Sequence, residues 1–140
     1  MPDTTTTIIT GNLTDAPELR FTQGGAAVAN FRVAVTPRVR DGNEWKDGDT
    51  SFFRVIAWRS LGEHATDSLS KGDRVIVVGR LKTRSWETPE GERRTVVEID
   101  AEEIGTSLRW ATAKPQRATA TSGAKAKPAA DGQFNDEPPF

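Results

Sequence analysis

Two runs of the chain alternate aromatic and basic side chains with a period of two. In the first run, Phe52, Arg54 and Trp58 fall on one face of an extended chain. Flat rings stack on exposed bases and cations hold backbone phosphates, so this pattern is typical of a surface that binds single-stranded nucleic acid without a sequence code. The second run ends in a face of the same kind, made of Arg80, Lys82, Arg84 and Trp86.

Each of these side chains also has a purely structural interpretation. Trp58 and Trp86 would fit a hydrophobic core or a subunit interface, and the basic run would fit an ordinary solvated face. The formal net charge of −1 over 140 residues offers no general attraction for phosphate, which argues against a uniformly basic protein that binds duplex DNA. The distribution of charge over the faces therefore matters more than its sum.

Catalysis has little support in the residue types. The chain has no cysteine and only one histidine, His64, so thiolate chemistry, a His-based relay and a Cys/His metal cluster are all excluded. The pairs Glu90/Glu92 and Glu102/Glu103 occur in a predicted hairpin and at a strand end, where carboxylates are usually solvated. We expect no enzyme activity, no catalytic residue, no metal and no cofactor.

The same composition predicts a cytoplasmic protein without a membrane partner. No apolar run reaches the roughly 20 residues that a membrane-spanning helix needs. The Thr-rich N-terminus has neither the basic nor the apolar region of a signal peptide.

Five strands and one helix are predicted to carry these faces. The strands span Ile8–Leu13, Ala26–Val35, Ser51–Trp58, Arg74–Trp86 and Arg94–Ile104. Leu61–Leu69 predicts a short helix between the third and fourth strands, because its apolar residues recur at every fourth position. Asp41-Gly42 marks a turn in a long connection, and Pro89-Glu90-Gly91 closes an extended hairpin. This order is that of an all-β, five-stranded OB-fold barrel, with an SH3-like barrel or a small sandwich as alternatives.

The composition changes after Trp110. Residues 111–130 contain no acidic and no large apolar side chain, so they cannot bury a core. Their cations are Lys114, Arg117, Lys125 and Lys127. We predict a domain over residues 1–110, a low-complexity Ala/Thr/Lys/Pro linker over 111–130 and an acidic partner-binding tip over 131–140, with the C-terminal tail disordered.

Several motifs follow one another along the chain with the spacing of a known family. They are Gly11-Asn12-Leu13 with Pro17-Glu18-Leu19-Arg20-Phe21, Gly25 to Phe31, Phe53-Arg54-Val55 with Trp58, Gly79-Arg80-Leu81-Lys82-Thr83-Arg84-Ser85-Trp86, and the terminal Asp136-Glu137-Pro138-Pro139-Phe140. Together they resemble the bacterial single-stranded DNA-binding protein (SSB) family over residues 5–110 and over the last five residues.

The resemblance implies an OB-fold homotetramer that wraps single-stranded DNA and has no catalytic activity. It implies stacking rings at Phe52, Trp58 and Trp86, and backbone-contacting cations at Arg54, Lys82, Arg84 and, as a further candidate, Arg20. One position departs from the family, because Val39 stands where many members have another stacking tryptophan. Trp45, a few residues later, is a possible DNA-binding replacement or a ring that only packs on its own connection.

The resemblance also implies a role for the acidic tip. In the family this tip recruits replication, recombination and repair enzymes, and the Asp136 and Glu137 carboxylates with Phe140 suit a basic groove on a partner. We therefore predict a cytoplasmic, nucleoid-associated protein that binds and protects single-stranded DNA in these processes. A second hypothesis, from a different class, is an adaptor whose main activity is to deliver the tip to protein partners.

Overall fold

The computed structural model describes residues 3–118, and strands dominate this part of the chain. In chain order the elements are β1 (Thr6–Leu13), β2 (Glu18–Phe21), β3 (Ala27–Val35), β4 (Arg38–Asp41), β5 (Glu44–Asp47), β6 (Ser51–Trp58), α1 (Arg59–Ser68), β7 (Arg74–Glu87) and β8 (Arg93–Thr106). Part of the predicted linker and the whole predicted acidic tip, from Asp131 to Phe140, lie outside the described residues.

Five of the strands pair in a ring. β1 pairs antiparallel with β7, β7 with β8 and β3 with β6, while β6 and β8 run parallel. β1 returns to β3 through Asn12 and Leu13, and β2 adds a further strand along the edge of β3. With α1 between the third and fourth strands of the ring, this arrangement confirms the predicted all-β OB-fold architecture.

The ring forms because its strands alternate apolar and polar side chains. The inward side chains of the strands make one buried cluster with Ala65 of α1 and Leu69 just after it: Ile9, Leu13, Phe31, Val33, Val55, Ala65, Leu69, Val75, Val77 and Ile99. A ring of five strands is narrow enough for such side chains to fill it. The interior is therefore occupied by the core, and a binding surface has to be sought on the outside.

The helix follows β6 without an intervening loop. Arg59, its first residue, has a φ of 57°, a left-handed conformation that is uncommon outside glycine. α1 begins two residues before the predicted Leu61 and packs Ala65 against the core. Gly62 permits this close approach, because a Cβ there would lie 2.5 Å from the backbone oxygen of Ala57.

Three short strands, β2, β4 and β5, are not among the predicted ones. β4 and β5 form a separate two-stranded hairpin within the predicted long connection. Gly42 and Asn43 make its two-residue loop, with Gly42 at a φ of 66°. Both faces of this hairpin are exposed, so its residues show no apolar alternation that would have indicated strands.

The pairing of β7 with β8 shifts register near the end of the barrel. Val78 pairs with Glu103 and Gly79 pairs with Ala101, so Glu102 has no partner across the ladder. Because of this bulge, Glu102 and Glu103 are both exposed although they are neighbours in a strand. Their exposure agrees with the prediction that these carboxylates are solvated. It also keeps three inward side chains of β8 on the core: Ile99, Ala101 and Ile104.

Beyond the bulge, β7 and β8 continue as a long hairpin. Leu81 and Val97 have the inward phase of the barrel residues, yet they are 37% and 42% exposed. Pairing nevertheless runs on to Glu87 and Arg93. The predicted extended hairpin is therefore confirmed.

Replacement of the fully buried Ile99 tests the core. We expect Ile99→Ala to lower the free energy of unfolding by about 2–5 kcal/mol, because it removes buried methyl groups and leaves a cavity. Val97→Ala is the matched control on the same strand, and its exposed side chain should cost about 0.5 kcal/mol or less. Urea denaturation followed by circular dichroism measures both, and equal losses would contradict this core.

Candidate nucleic-acid interface

One face of the sheet runs continuously over β2, β3, β6, β8 and the distal half of β7. Residues directly opposite each other in neighbouring strands point to the same side, so rows can be followed across the pairings. One row consists of Arg32, Arg54, Glu98 and Lys82, and the next of Asn30, Ile56, Asp100 and Arg80. We call this surface the groove face, and its three rings are Phe52, Trp58 and Trp86.

A groove in this face brings together four of the predicted site residues. They are Arg54, Trp58, Lys82 and Arg84. The other lining residues are Val28, Asn30, Ile56, Glu98 and Asp100. Residues that are far apart in the chain meet in this depression because the sheet pairing places β3, β6, β8 and β7 side by side.

The three predicted rings are open to solvent. Phe52 is 55% exposed, Trp58 42% and Trp86 44%. The guanidinium carbon of Arg32 lies 5.1 Å from the centre of the Phe52 ring, and that of Arg84 lies 5.1 Å from the centre of the Trp86 ring. Neither tryptophan fills the core, so the core interpretation of these rings is wrong.

The two predicted phosphate-binding arginines of β7 contact carboxylates of β8. Arg84 donates from Nη2 and Nε to Oε2 of Glu98, at 2.9 and 3.2 Å. Arg80 has Nη2 at 3.8 Å from Oδ2 of Asp100 and Nε at 3.5 Å from Oε2 of Glu102. Acidic residues of β8 thus offset the basic stripe of β7, and the groove is less positive than its cations alone would make it.

Arg54 and Lys82 have a different environment. Arg54 donates one hydrogen bond, from Nη1 to Oδ1 of Asn30 at 3.3 Å. Within residues 3–118 neither Arg54 nor Lys82 forms an ion pair. Both side chains are exposed and line the groove, so their charges are available to an anion there.

Arg20 reaches the groove face from the edge strand β2. It pairs with Val28, which in turn pairs with Trp58, so the three form one row. Arg20 donates to the Glu18 carboxylate at 2.8 Å, and this hydrogen bond and the adjacent negative charge raise the pKa of Arg20. Because the pair is exposed and such pairs are weak, Arg20 is able to exchange Glu18 for another anion.

Comparison with known proteins identifies the family. The model described as "Single-strand binding protein family" matches residues 4–107. The chain belongs to this family. A Mycobacterium tuberculosis relative named single-stranded DNA-binding protein is 51% identical over 162 aligned positions, covering 99% of this chain and 98% of the relative. A Paenarthrobacter aurescens relative of the same name is 60% identical over 117 positions, covering 82% of this chain and 68% of the relative.

A solved structure resembles this member of the single-strand binding protein family in fold. The crystal structure of the small single-stranded DNA-binding protein from Streptomyces coelicolor superposes with a TM-score of 0.68 at 41% sequence identity. The match covers 76% of this chain and 97% of the other. It favours the OB-fold over the SH3-like barrel and the small sandwich.

The position that departs from the single-strand binding protein family lies in the β4–β5 hairpin. Val39 pairs with Lys46 and Arg40 pairs with Trp45, so Val39 and Trp45 lie on opposite faces of the hairpin. Trp45 is 57% exposed, with the Arg40 guanidinium carbon 5.8 Å from its ring centre. Trp45 therefore does not present its ring on the face that a tryptophan at position 39 would use.

The predicted site omits several residues of the groove face, among them the polar or charged Asn30, Arg32, Glu98 and Asp100. Asn30 and Arg32 alternate with the buried Ala29, Phe31 and Val33, so the period of two in β3 would have placed them outward. Glu98 and Asp100 come next to Arg54 and Ile56 only through the parallel pairing of β6 with β8. Their alternation with Val97, Ile99 and Ala101 would have placed both carboxylates outward, but their position beside β6 leaves no local signal.

The described residues, 3–118, contain no group of three or more His, Cys, Asp or Glu side chains placed to hold a metal ion. None of the helices in this part of the chain is long and apolar enough to span a membrane.

Proposed function

We propose that this chain binds single-stranded DNA without sequence specificity, and that it acts by binding rather than by catalysis. The observation that supports this most directly is the groove face, where exposed rings accompany a depression lined by cations. Exposed bases stack on such rings with about 1–3 kcal/mol per base, whichever base it is. A duplex keeps its bases stacked inside, so it gains little from these rings.

The order of the rows suggests how a strand would lie. Successive outward residues of one strand are about 7 Å apart. Along β6 a DNA strand would pass from Trp58 over Arg54 to Phe52, and across the sheet it would pass Lys82 and Trp86. Rings and cations therefore alternate along one path, as stacked bases and phosphates would require.

The contacts within the groove favour stacking over charge as the main source of affinity. Asp100 and Glu98 offset part of the positive charge of the groove. Arg32, Arg54 and Lys82, which are exposed and form no ion pair within residues 3–118, then supply most of the attraction for phosphates, with Arg20 beside Trp58 as a further cation. A protein of this kind binds with a shallower salt dependence than one that relies on many phosphate contacts.

The names of the relatives support the same activity, because those proteins are called single-stranded DNA-binding proteins. We extend the proposal to a cytoplasmic, nucleoid-associated role in which the chain protects single-stranded DNA during replication, recombination and repair. In this proposal residues 1–110 bind DNA and oligomerise, 111–130 form a linker, and 131–140 recruit partner enzymes through Asp136, Glu137, Pro138, Pro139 and Phe140.

A homotetramer is part of the proposal, and β1 supports it. Ile8 is 66% exposed and pairs with Val78, beside the partly exposed Ile76, so an apolar strip lies on the outer side of β1 and β7. Within residues 3–118, β1 pairs with β3 only at Asn12 and Leu13, which leaves most of that edge unpaired. An exposed edge beside an apolar strip suits a symmetric interface with another copy of the chain.

Fluorescence titration with oligo(dT) tests DNA binding. We expect strong tryptophan quenching that salt weakens, and we expect Trp58→Ala and Trp86→Ala each to lose about 1–3 kcal/mol of binding free energy. Trp110→Ala is the matched control, because Trp110 is 72% exposed and packs on Arg74, at the end of β7 away from Trp86. Absence of both quenching and oligonucleotide retardation at low salt would contradict the proposal. Dissociation of the oligomer by Trp86→Ala would instead make Trp86 an interface residue.

Native mass measurement tests the oligomer. We expect a tetramer for the unmodified chain and a smaller species for Ile8→Asp, because a carboxylate in the apolar strip would be desolvated at the interface. Phe21→Asp is the control, since Phe21 is similarly exposed but lies on β2, outside the strip. A tetramer that survives Ile8→Asp would contradict this interface.

Removal of residues 136–140 separates DNA binding from partner recruitment. We expect the truncated chain to keep its affinity for oligo(dT) within about a factor of three, since no groove-face residue is lost, and to lose the partner enzymes that the full chain retains in pull-down from a bacterial lysate. An adaptor would show negligible DNA affinity before and after truncation. Unchanged partner capture would contradict the role of the tip.

A further inference from the structure

Arg84 lies between a buried carboxylate and an exposed ring. Its Nη2 and Nε donate to Glu98, and its guanidinium carbon lies 5.1 Å from the centre of the Trp86 ring. Glu98 is only 7% exposed and is the one charged residue among residues 3–118 that is buried. Arg84 itself is more than half exposed, so one end of this ion pair is open to solvent while the other is enclosed.

The burial of Glu98 decides which partner Arg84 keeps. A phosphate that took the Arg84 guanidinium away would leave the Glu98 charge unpaired where water scarcely reaches it, which is strongly unfavourable. Within residues 3–118, Arg84 is the one cation within ion-pair distance of Glu98. Arg54 and Lys82 flank Glu98 in the ladder, one on each side, but neither forms an ion pair with it.

Arg80 provides a contrast on the same strand. Its distances to Asp100 and Glu102 are longer, and both carboxylates are more exposed than that of Glu98. Water solvates those carboxylates when Arg80 moves away, so the exchange of Arg80 to a phosphate costs less. Arg80 and Arg84 occupy similar positions in the basic run of β7, but the ion pair of Arg84 is harder to break than those of Arg80.

We propose that Glu98 is a positioning residue of the DNA-binding surface. It withholds Arg84 from the phosphates and holds its guanidinium against one face of the Trp86 ring, so that the other face is presented to a base. The ion pair with Glu98 fixes the Arg84 guanidinium, and the cation–π contact with Arg84 in turn fixes the Trp86 ring. Phosphate binding then falls to the other cations of the groove face, which are Arg32, Arg54, Lys82 and Arg20. This inference rests on the proposed binding of single-stranded DNA.

Salt-dependent binding measures whether Arg84 contacts a phosphate. The anisotropy of labelled oligo(dT) is followed with the full chain over a range of NaCl concentrations, and the slope of log K against log[NaCl] is compared between variants. Lys82→Gln calibrates the loss of one phosphate cation and should make the slope shallower by about 0.7 for each subunit that the oligonucleotide contacts. Asp67→Asn, on the exposed surface of α1, controls for the removal of a carboxylate away from the groove.

Two variants carry the test. Glu98→Gln should release Arg84 to the phosphates, so we expect a slope steeper by about 0.7 for each contacted subunit and tighter binding at low salt. The double variant Arg84→Gln with Glu98→Gln removes both charges together, so it leaves no unpaired buried carboxylate. It should keep the unmodified slope, but bind several-fold more weakly at every salt concentration because the Trp86 ring has lost its support.

The outcomes separate this inference from the proposed function. If the unmodified chain does not bind oligo(dT), the proposed function fails. If it binds and the double variant loses as much slope as Lys82→Gln, Arg84 is a phosphate ligand and the inference is overturned. An unchanged slope for a folded Glu98→Gln variant would also overturn it. If Glu98→Gln does not fold, as thermal unfolding would show, the slope of the double variant alone decides.

Discussion

The structure depends on the burial of one side-chain face of five strands inside a narrow ring. Val33, Val55, Val77 and Ile99 take up the interior, so the barrel has a filled centre and its opposite face is released from packing. In β6 this division is complete within eight residues: Val55 and Ala57 are enclosed, while Phe52, Arg54 and Trp58 are exposed. The same alternation that stabilises the barrel thus produces the groove face, and a shift of one residue in β6 would destroy both at once.

Where β7 and β8 meet on the groove face, positive and negative side chains form pairs, so no strongly positive patch develops there. The cations of β7 face the carboxylates of β8. The pairs range from Arg84–Glu98, in which the carboxylate is enclosed, to Arg80–Glu102, in which both side chains are about half exposed. The net charge of −1 over the whole chain is therefore consistent with a groove face that combines a few unpaired cations with several rings. On the proposed function, stacking on these rings contributes more to the affinity of such a surface than its few unpaired cations do.

Sequence reasoning succeeded where burial leaves a local pattern. The bounds of β6 were predicted correctly. Phe52, Trp58 and Trp86 alternate with the apolar residues that face the core, and this alternation correctly predicted that all three rings lie on the exposed side. The β4–β5 hairpin was missed because neither of its faces is buried, and the opposite orientations of Val39 and Trp45 emerge only from its register. Glu98 was missed because its environment is created by a parallel partner some 40 residues away in the chain, so the local sequence shows only a carboxylate in a strand.

The unpaired Glu102 is the one extra residue in the β7–β8 ladder, and the bulge that holds it keeps Ile104 inward together with Ile99 and Ala101. With Glu102 removed, Ala101 and Glu103 would become neighbours and keep their partners Gly79 and Val78, so every other side chain of β8 would stay on its face. Two residues added to each strand at the tip of the hairpin would leave every existing face unchanged. The hairpin can therefore be lengthened in such steps, each of which adds one more outward position on each strand for a ring or a charge, while the barrel beneath it stays the same.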